Sequence, residues 1–148
     1  MAQPSKDVTV RYAQRSDYVW LCEQDSIHVN ANWIERCVGL QEYIVAETLN
    51  TPGDLKGYIR FSMFWGKITY LDMIRVIEGN QLQGVGSALI RFWENEMRGR
   101  GHKILMTSSE RDEMAAQTWH WRNNYREAGK LDLGMAQSAP EVFFIKEL

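Results

Sequence analysis

The stretch Ile77 to Gly84 joins two strongly patterned segments, and what it joins governs what this chain can fold into. Before it, Ile68 to Val76 is β-rich. After it, Val85, Leu89, Trp93 and Met97 recur every four residues with Ile90 beside them, the spacing of a helix that buries one stripe. Gly99 and Gly101 end that helix, and Lys103 to Ser108 reads as another strand. A strand, loop, helix, strand order over Ile68 to Ser108 is long enough for a right-handed crossover between parallel strands.

The remaining segments build outward from this unit. Val8 to Ala13 alternates as a short strand, Ser16 can cap a helix through Gln24, and Asn30 or Asn32 can cap a second helix ending at Gly39. Tyr43 to Leu49 and Gly57 to Trp65 read as a hairpin across Asn50-Thr51-Pro52-Gly53-Asp54, and Gly66-Lys67 turns into Ile68 to Val76. A helix over Met114 to Arg122 and two β segments, Arg126 to Leu133 and Glu141 to Lys146, complete a mixed α/β (α+β) sheet. With no linker, repeat or low-complexity tract, the 148 residues predict a single domain, 1–148.

Charge and composition exclude several classes. Seventeen Lys and Arg against nineteen Asp and Glu give a net charge of −2, so the strongly basic surface that dominates nucleic-acid binding is absent. The two N-terminal helices are not a DNA-reading pair, because Asp17, Glu23, Asp25 and Glu35 would face phosphates. No window approaches the ~18 apolar residues that cross a bilayer, and Met1 to Asp7 lacks the apolar run of a signal peptide. The expectation is a cytoplasmic protein with no membrane or nucleic-acid partner. Cys22 and Cys37 are too few for a disulfide framework and lack metal-ligand spacing, so reduced thiols and no metal are expected.

Within Val76 to Ser87, glycines let successive backbone N–H groups turn toward one point at a helix N-terminus, where the helix dipole favours an anion. A tight turn alone would use the same glycines. A dinucleotide fingerprint would need glycine where Leu89 stands, and a P-loop would need Gly-Lys-Ser/Thr, which is lacking. The run Gln81-x-x-Gly84-x-Gly86 resembles motif A of the GNAT superfamily of acetyl-CoA-dependent N-acetyltransferases, usually written Gln/Arg-x-x-Gly-x-Gly/Ala. Val76 at the end of the preceding strand matches as well, and Glu78 stands where that family often has proline. The order of strands and helices from Val8 to Lys146 is similar too.

The resemblance implies the GNAT fold: a mixed central sheet of about six to seven strands, the fourth and fifth splayed, flanked by about four helices. It implies acetyl-CoA as the cofactor, with pantetheine lying along the backbone of Ile74, Arg75 and Val76 as a substitute strand. The pyrophosphate is then held by backbone N–H groups across Gln81, Leu82, Gln83, Gly84, Val85, Gly86 and Ser87. The implied activity is N-acetyl transfer to a primary amine of a small molecule, or of a peptide or protein, by direct attack in a ternary complex. Many proteins of this kind pair as homodimers. A non-catalytic acyl-CoA-binding sensor or scaffold is the alternative reading.

Acetyl transfer sets its own demands. An alkylamine of pKa ~10.4 is almost wholly protonated near neutrality, so a base or water chain must take its proton. Alternation along Ile68 to Val76 puts Ile68, Tyr70, Asp72, Ile74 and Val76 on one face, which makes Asp72 the first candidate base with Tyr70 beside it. An ordinary ion-paired or solvated Asp72 has the same pattern. The family's Ala-x-x-Phe-Tyr-x-x-x-Gly-Phe segment, whose tyrosine protonates the departing thiolate, overlays on Ala116 to Tyr125, so that His120 stands at the tyrosine position. An imidazole of ordinary pKa ~6.5 can donate to a thiolate, and it can also be a packed or surface residue. A second overlay puts Tyr125 at that position. Trp20, Trp33, Trp65, Asp25, Glu35 and Asp72 are the side chains expected to face an acceptor.

Overall fold

The computed structural model of the chain describes residues 7–77 and 84–148. Its strands are β1 (Val8–Tyr12), β2 (Tyr43–Thr48), β3 (Leu55–Phe64), β4 (Ile68–Val76), β5 (Ile104–Glu110), β6 (Arg126–Leu131) and β7 (Glu141–Glu147). The helices are α1 (Tyr18–Asp25), α2 (Ala31–Gly39), α3 (Val85–Gly99) and α4 (Met114–Arg122). The seven strands follow the order β1-β2-β3-β4-β5-β7-β6. β4 and β5 are parallel, as the crossover requires, while β1 with β2, β2 with β3, β5 with β7 and β6 with β7 are antiparallel. The mixed sheet with four helices is the architecture expected from the sequence. The chain groups into two compact units, Met1–Phe61 with Met73–Glu96, and Ser62–Asp72 with Met97–Leu148.

In the first unit the pleat of β2 and β3 sorts side chains between two faces. Tyr43, Val45, Leu55 and Tyr58 pack with Leu21 of α1 and with Ile34 and Cys37 of α2. Toward α3 the strands present small and aromatic residues: Phe61 meets Trp93 with ring centres 6.4 Å apart. A Cβ on Gly57 would stand 2.8 Å from the Arg75 carbonyl oxygen and within 3.3 Å of Leu89 and Val85, so the close approach of helix and strand depends on glycine there. The stripe read from the sequence, Val85, Leu89, Trp93 and Met97, is buried throughout.

Local starts of the helices differ in one case from expectation. Asn30 caps α2 by accepting the Trp33 N–H at 2.9 Å. Ser16 does not cap α1; it lies inside a short 3-10 turn, Arg15–Asp17, that precedes the helix. The buried Asp17 carboxylate dictates that turn. It accepts the Gln14 N–H at 2.8 Å and both terminal nitrogens of Arg11, and burying it without those partners would cost more than a serine cap supplies.

In the second unit the segment of β4 up to Asp72 pairs with β5, which pairs in turn with β7. The register Thr69↔Leu105 and Leu71↔Thr107, with Thr107↔Phe144 and Ser109↔Val142, puts these seven residues on one face, and all are buried. α4 covers that face through His120, whose ring stacks on Phe144 at 4.3 Å. Ile68, Tyr70, Asp72, Ser108, Glu141, Phe143 and Ile145 lie on the opposite face and are only half-buried. Every residue of β6 is exposed.

Candidate active site

In the first unit the site is built at the start of α3. Gly84 takes φ +77°, a left-handed backbone that leads the chain into the helix. The N–H groups of the next residues, Val85, Gly86 and Ser87, belong to the first turn of a helix, which leaves its leading amides without intrahelical partners. Gly86 differs from Gly57 and Gly84. Among the described residues a Cβ there would meet only Val76 Cγ2, at an ordinary 3.6 Å, and its φ is not in the left-handed range. The leading amides of a helix N-terminus suit an anion approaching the backbone. Gln81, Leu82 and Gln83, the other expected cradle residues, lie outside the described residues. Ile74 and Val76 are half-buried, and the exposed Arg75 donates from its guanidinium to the Gln24 carbonyl at 3.2 Å.

The same unit holds a buried ionic cluster that sequence spacing does not reveal. Asp25, one of the carboxylates expected to face an acceptor, is 0% exposed and points inward. It accepts from Tyr43 Oη at 2.5 Å, Tyr58 Oη at 3.0 Å and Arg60 Nε at 2.7 Å. Burial, then the bond to Asp25, pushes the Tyr43 phenol far above its ordinary value; burial and the Asp25 charge do the same to Tyr58. Asp25 thus ties the end of α1 to β2 and β3. Of the other residues expected to face an acceptor, Trp33, Trp65 and Glu35 are exposed and Trp20 is half-buried with its ring edge-on to Tyr58.

In the second unit the β4–β5 ladder runs from Thr69↔Leu105 to Leu71↔Thr107 and stops there, although both strands continue. Asp72 and Ser108 are the first residues past its end. Tyr70 and Asp72 stand on the half-buried face at this point. Asp72 accepts from Ser62 Oγ at 2.8 Å. Tyr70 Oη lies 2.5 Å from Ser108 Oγ, and Ser108 Oγ donates to Glu141 Oε2, also at 2.5 Å. Neither Ser108 nor Glu141 is marked by the sequence pattern; they join Tyr70 only through the β4–β5–β7 register.

His120 lies under the opposite face. It is 4% exposed, packed between Trp119, Tyr125 and Phe144, and its Nδ1 has no hydrogen-bond partner among the described residues. Burial lowers its pKa to about 4, so the ring is neutral near pH 7 and the imidazolium is not populated. α4 ends as the overlay predicts: Asn124 takes φ +68°, and the Tyr125 N–H closes back on the His120 carbonyl at 2.9 Å. Tyr125, the alternative at the tyrosine position, is buried as well.

A mixed seven-stranded sheet with a parallel β4–β5 pair, and a crossover helix that opens on Gly84-Val85-Gly86, are the frame of an acyl-CoA-dependent transferase. The model of the GNAT acetyltransferase family matches residues 8–125, and the chain belongs to that family. It is accordingly an acyltransferase that uses acetyl-CoA. Solved structures agree in fold. Ard1 from Thermoplasma volcanium superposes with a TM-score of 0.81 at 16% identity, covering 96% of this chain and 98% of that one. NAA60 from Arabidopsis thaliana, in complex with a bisubstrate analogue, gives 0.76 at 14% identity over 95% and 97%. YncA from Salmonella typhimurium, described as a putative acetyltransferase with its cofactor acetyl-CoA, gives 0.71 at 18% identity over 96% and 94%. Comparison with curated protein sequences gives no match. Among the described residues no helix is long and apolar enough to cross a membrane.

Proposed function

We propose that this chain moves the acetyl group of acetyl-CoA to the primary amine of a small molecule by direct attack in a ternary complex. Acetyl-CoA supplies an activated thioester, and the protein supplies orientation and proton handling. The observation that carries the reading is Gly86, where among the described residues a Cβ would meet nothing nearer than Val76 Cγ2 at 3.6 Å and the backbone is not left-handed. Glycine is a poorer helix former than alanine, so its presence in the first turn of α3 is best explained by a ligand that must come close to the backbone. Gly84, Val85, Gly86 and Ser87, with Gln81, Leu82 and Gln83 before them, would hold the pyrophosphate through their amides. Ile74, Arg75 and Val76 would pair with pantetheine through theirs.

On the half-buried face Tyr70 and Asp72 are the groups that receive the amine's proton, and the carboxylate there favours a cationic acceptor. His120 serves as a neutral N–H donor. A thiol of pKa ~8.5 leaves as its anion at modest cost near neutrality, so hydrogen bonding to sulfur suffices and full proton delivery is not required. The single 148-residue unit and a cytoplasmic setting go with this reading, and the free thiols Cys22 and Cys37 suit a reducing compartment. A homodimer is the state in which we expect it.

The test pairs binding with turnover. Gly86→Val should leave the unfolding midpoint near that of the parent while weakening acetyl-CoA binding by about tenfold or more in calorimetric titration. The parent should release thiol from acetyl-CoA with at least one member of a panel of small amines faster than with peptides bearing a free N-terminus. Unchanged acetyl-CoA affinity in Gly86→Val would remove the basis of the assignment, and turnover on peptides alone would change the acceptor class.

A further inference from the structure

We infer that Tyr70, Ser108 and Glu141 form a proton relay serving the acetyl transfer proposed above, on which the inference rests, with Glu141 as its terminal acceptor. The three side chains come from neighbouring strands of one unit. Tyr70 lies opposite Met106 on β5, Ser108 is two residues further along the same face, and Glu141 sits two residues before Phe143, the partner of Ser108 on β7. Such diagonal neighbours across a sheet are close enough for long side chains to meet. The resulting chain has two links of 2.5 Å.

Its polarity is fixed by proton counting. A serine hydroxyl has one proton, and Ser108 gives it to the Glu141 carboxylate, so Tyr70 must donate to Ser108. A phenol oxygen can accept as well as donate. Glu141 is positioned at its other oxygen too, where Gln137 Nε2 donates to Oε1 at 3.0 Å while also holding the Ala139 carbonyl at 2.9 Å. The contrast with other enclosed carboxylates is informative. Asp25 and Asp17 each face a guanidinium, whereas Glu141 is tied down by neutral donors and has no cation against it among the described residues. Charged residues near it in the sheet are Glu110, opposite on β5, Arg111, whose N–H donates to the Pro140 carbonyl, and Lys130 and Asp132, which flank its β6 partner Leu131.

The step balances as follows. The amine nitrogen bonds to the acetyl carbon, the carbon–sulfur bond breaks, and its electron pair stays on the sulfur of CoA. The nitrogen's proton passes to Tyr70 Oη as the Tyr70 proton moves to Ser108 Oγ and the Ser108 proton moves to Glu141 Oε2; solvent later removes it. A carboxylic acid in water is stronger than an alkylammonium by a factor of about a million, so Glu141 cannot deprotonate the free ammonium efficiently. The relay acts once the lone pair is committed to the new carbon–nitrogen bond, when the nitrogen's protons become far more acidic.

Two substitutions test this with acetyl-CoA and the best amine from the panel. Glu141→Gln keeps an oxygen for Ser108 to donate to but cannot take a proton, and Ser108→Ala cuts the chain in the middle. Each should lower kcat by about a hundredfold or more while acetyl-CoA affinity stays within about twofold of the parent. The loss of rate on the acid side of the kcat profile should disappear in Glu141→Gln, and Ser108→Thr, which keeps the hydroxyl, should recover most of the rate. Circular dichroism checks the fold of each, with Tyr70→Phe as the variant least able to disturb packing. If kcat in folded Ser108→Ala or Tyr70→Phe stays within about threefold of the parent, the relay is overturned while acetyl transfer stands. A parent that binds acetyl-CoA but acetylates no amine overturns both.

Discussion

Acidifying the protein charges one imidazole that the fold keeps neutral, and the consequence for stability follows from its surroundings. His120 in an unfolded chain titrates near 6.5; enclosed by Trp119, Tyr125 and Phe144 it titrates near about 4, with burial as the cause. Between those values the unfolded chain binds more protons than the native one, so stability is complete above about pH 6.5 and falls by about 1.4 kcal/mol per pH unit on the way down. The fall levels off below about pH 4, after a total of about 3 kcal/mol. For a chain of this length that corresponds to roughly 6–12 °C in Tm. Carboxylates such as Asp17, which Arg11 and the Gln14 amide hold below the ordinary range despite burial, add their own acid sensitivity. The difference between the parent and His120→Phe isolates the imidazole, because phenylalanine fills the stack on Phe144 and does not titrate. Urea unfolding followed by circular dichroism from about pH 7.5 to about pH 4 should show the parent losing about 3 kcal/mol relative to His120→Phe as pH falls. Parallel curves, or a ring-proton titration of His120 by NMR centred at about 6 or above, would refute the neutral, desolvated imidazole.

The buried cluster and the glycine contact give two further expectations. Arg60→Met leaves Asp25 buried with two phenols but no cation, and should lower stability by about 3–5 kcal/mol in urea unfolding; a loss under about 1 kcal/mol would mean that Asp25 is neutral or hydrated in the native state. Gly57→Ala puts a methyl 2.8 Å from the Arg75 carbonyl oxygen, and the forced shift between β3 and β4 should cost about 1–3 kcal/mol by the same measurement, whereas an unchanged midpoint would show that the strand yields freely.

What the sequence discloses and what it hides divide along a physical line. Interactions that repeat at a fixed spacing along the chain are visible in it: β4 and α4 have the bounds read from their patterns, the stripe Val85, Leu89, Trp93 and Met97 is buried, and Asn30 caps α2. The parallel β4–β5 pair follows from the length of the crossover, and Gly84 takes the left-handed backbone that the loop reading requires. Hidden from any such pattern are contacts between residues far apart whose meeting depends on register. Asp25 on an otherwise ordinary helix reads as a surface acid until β2 and β3 bring Tyr43, Tyr58 and Arg60 to it. The Ser16 cap is displaced by a nearer contact that no periodicity marks, since Asp17 answers to Arg11 on β1 rather than to its own helix. At the site this division matters most. The proposed phosphate cradle is a backbone property and is written in glycines, whereas the proposed proton relay draws on side chains from three strands. Tyr70 is recognisable from the alternation of β4 alone; Ser108 and Glu141 acquire meaning only when a one-to-one register sets them in line, and a slip of one residue in β7 would turn Glu141 to the face that α4 covers. That register is held by seven consecutive pairs from Ile104↔Glu147 to Glu110↔Glu141, with Phe144 anchored under His120. The packing that keeps the His120 ring neutral therefore also fixes the strand that carries Glu141, so burial on one face of the sheet sets the register on which the proposed relay on the other face depends.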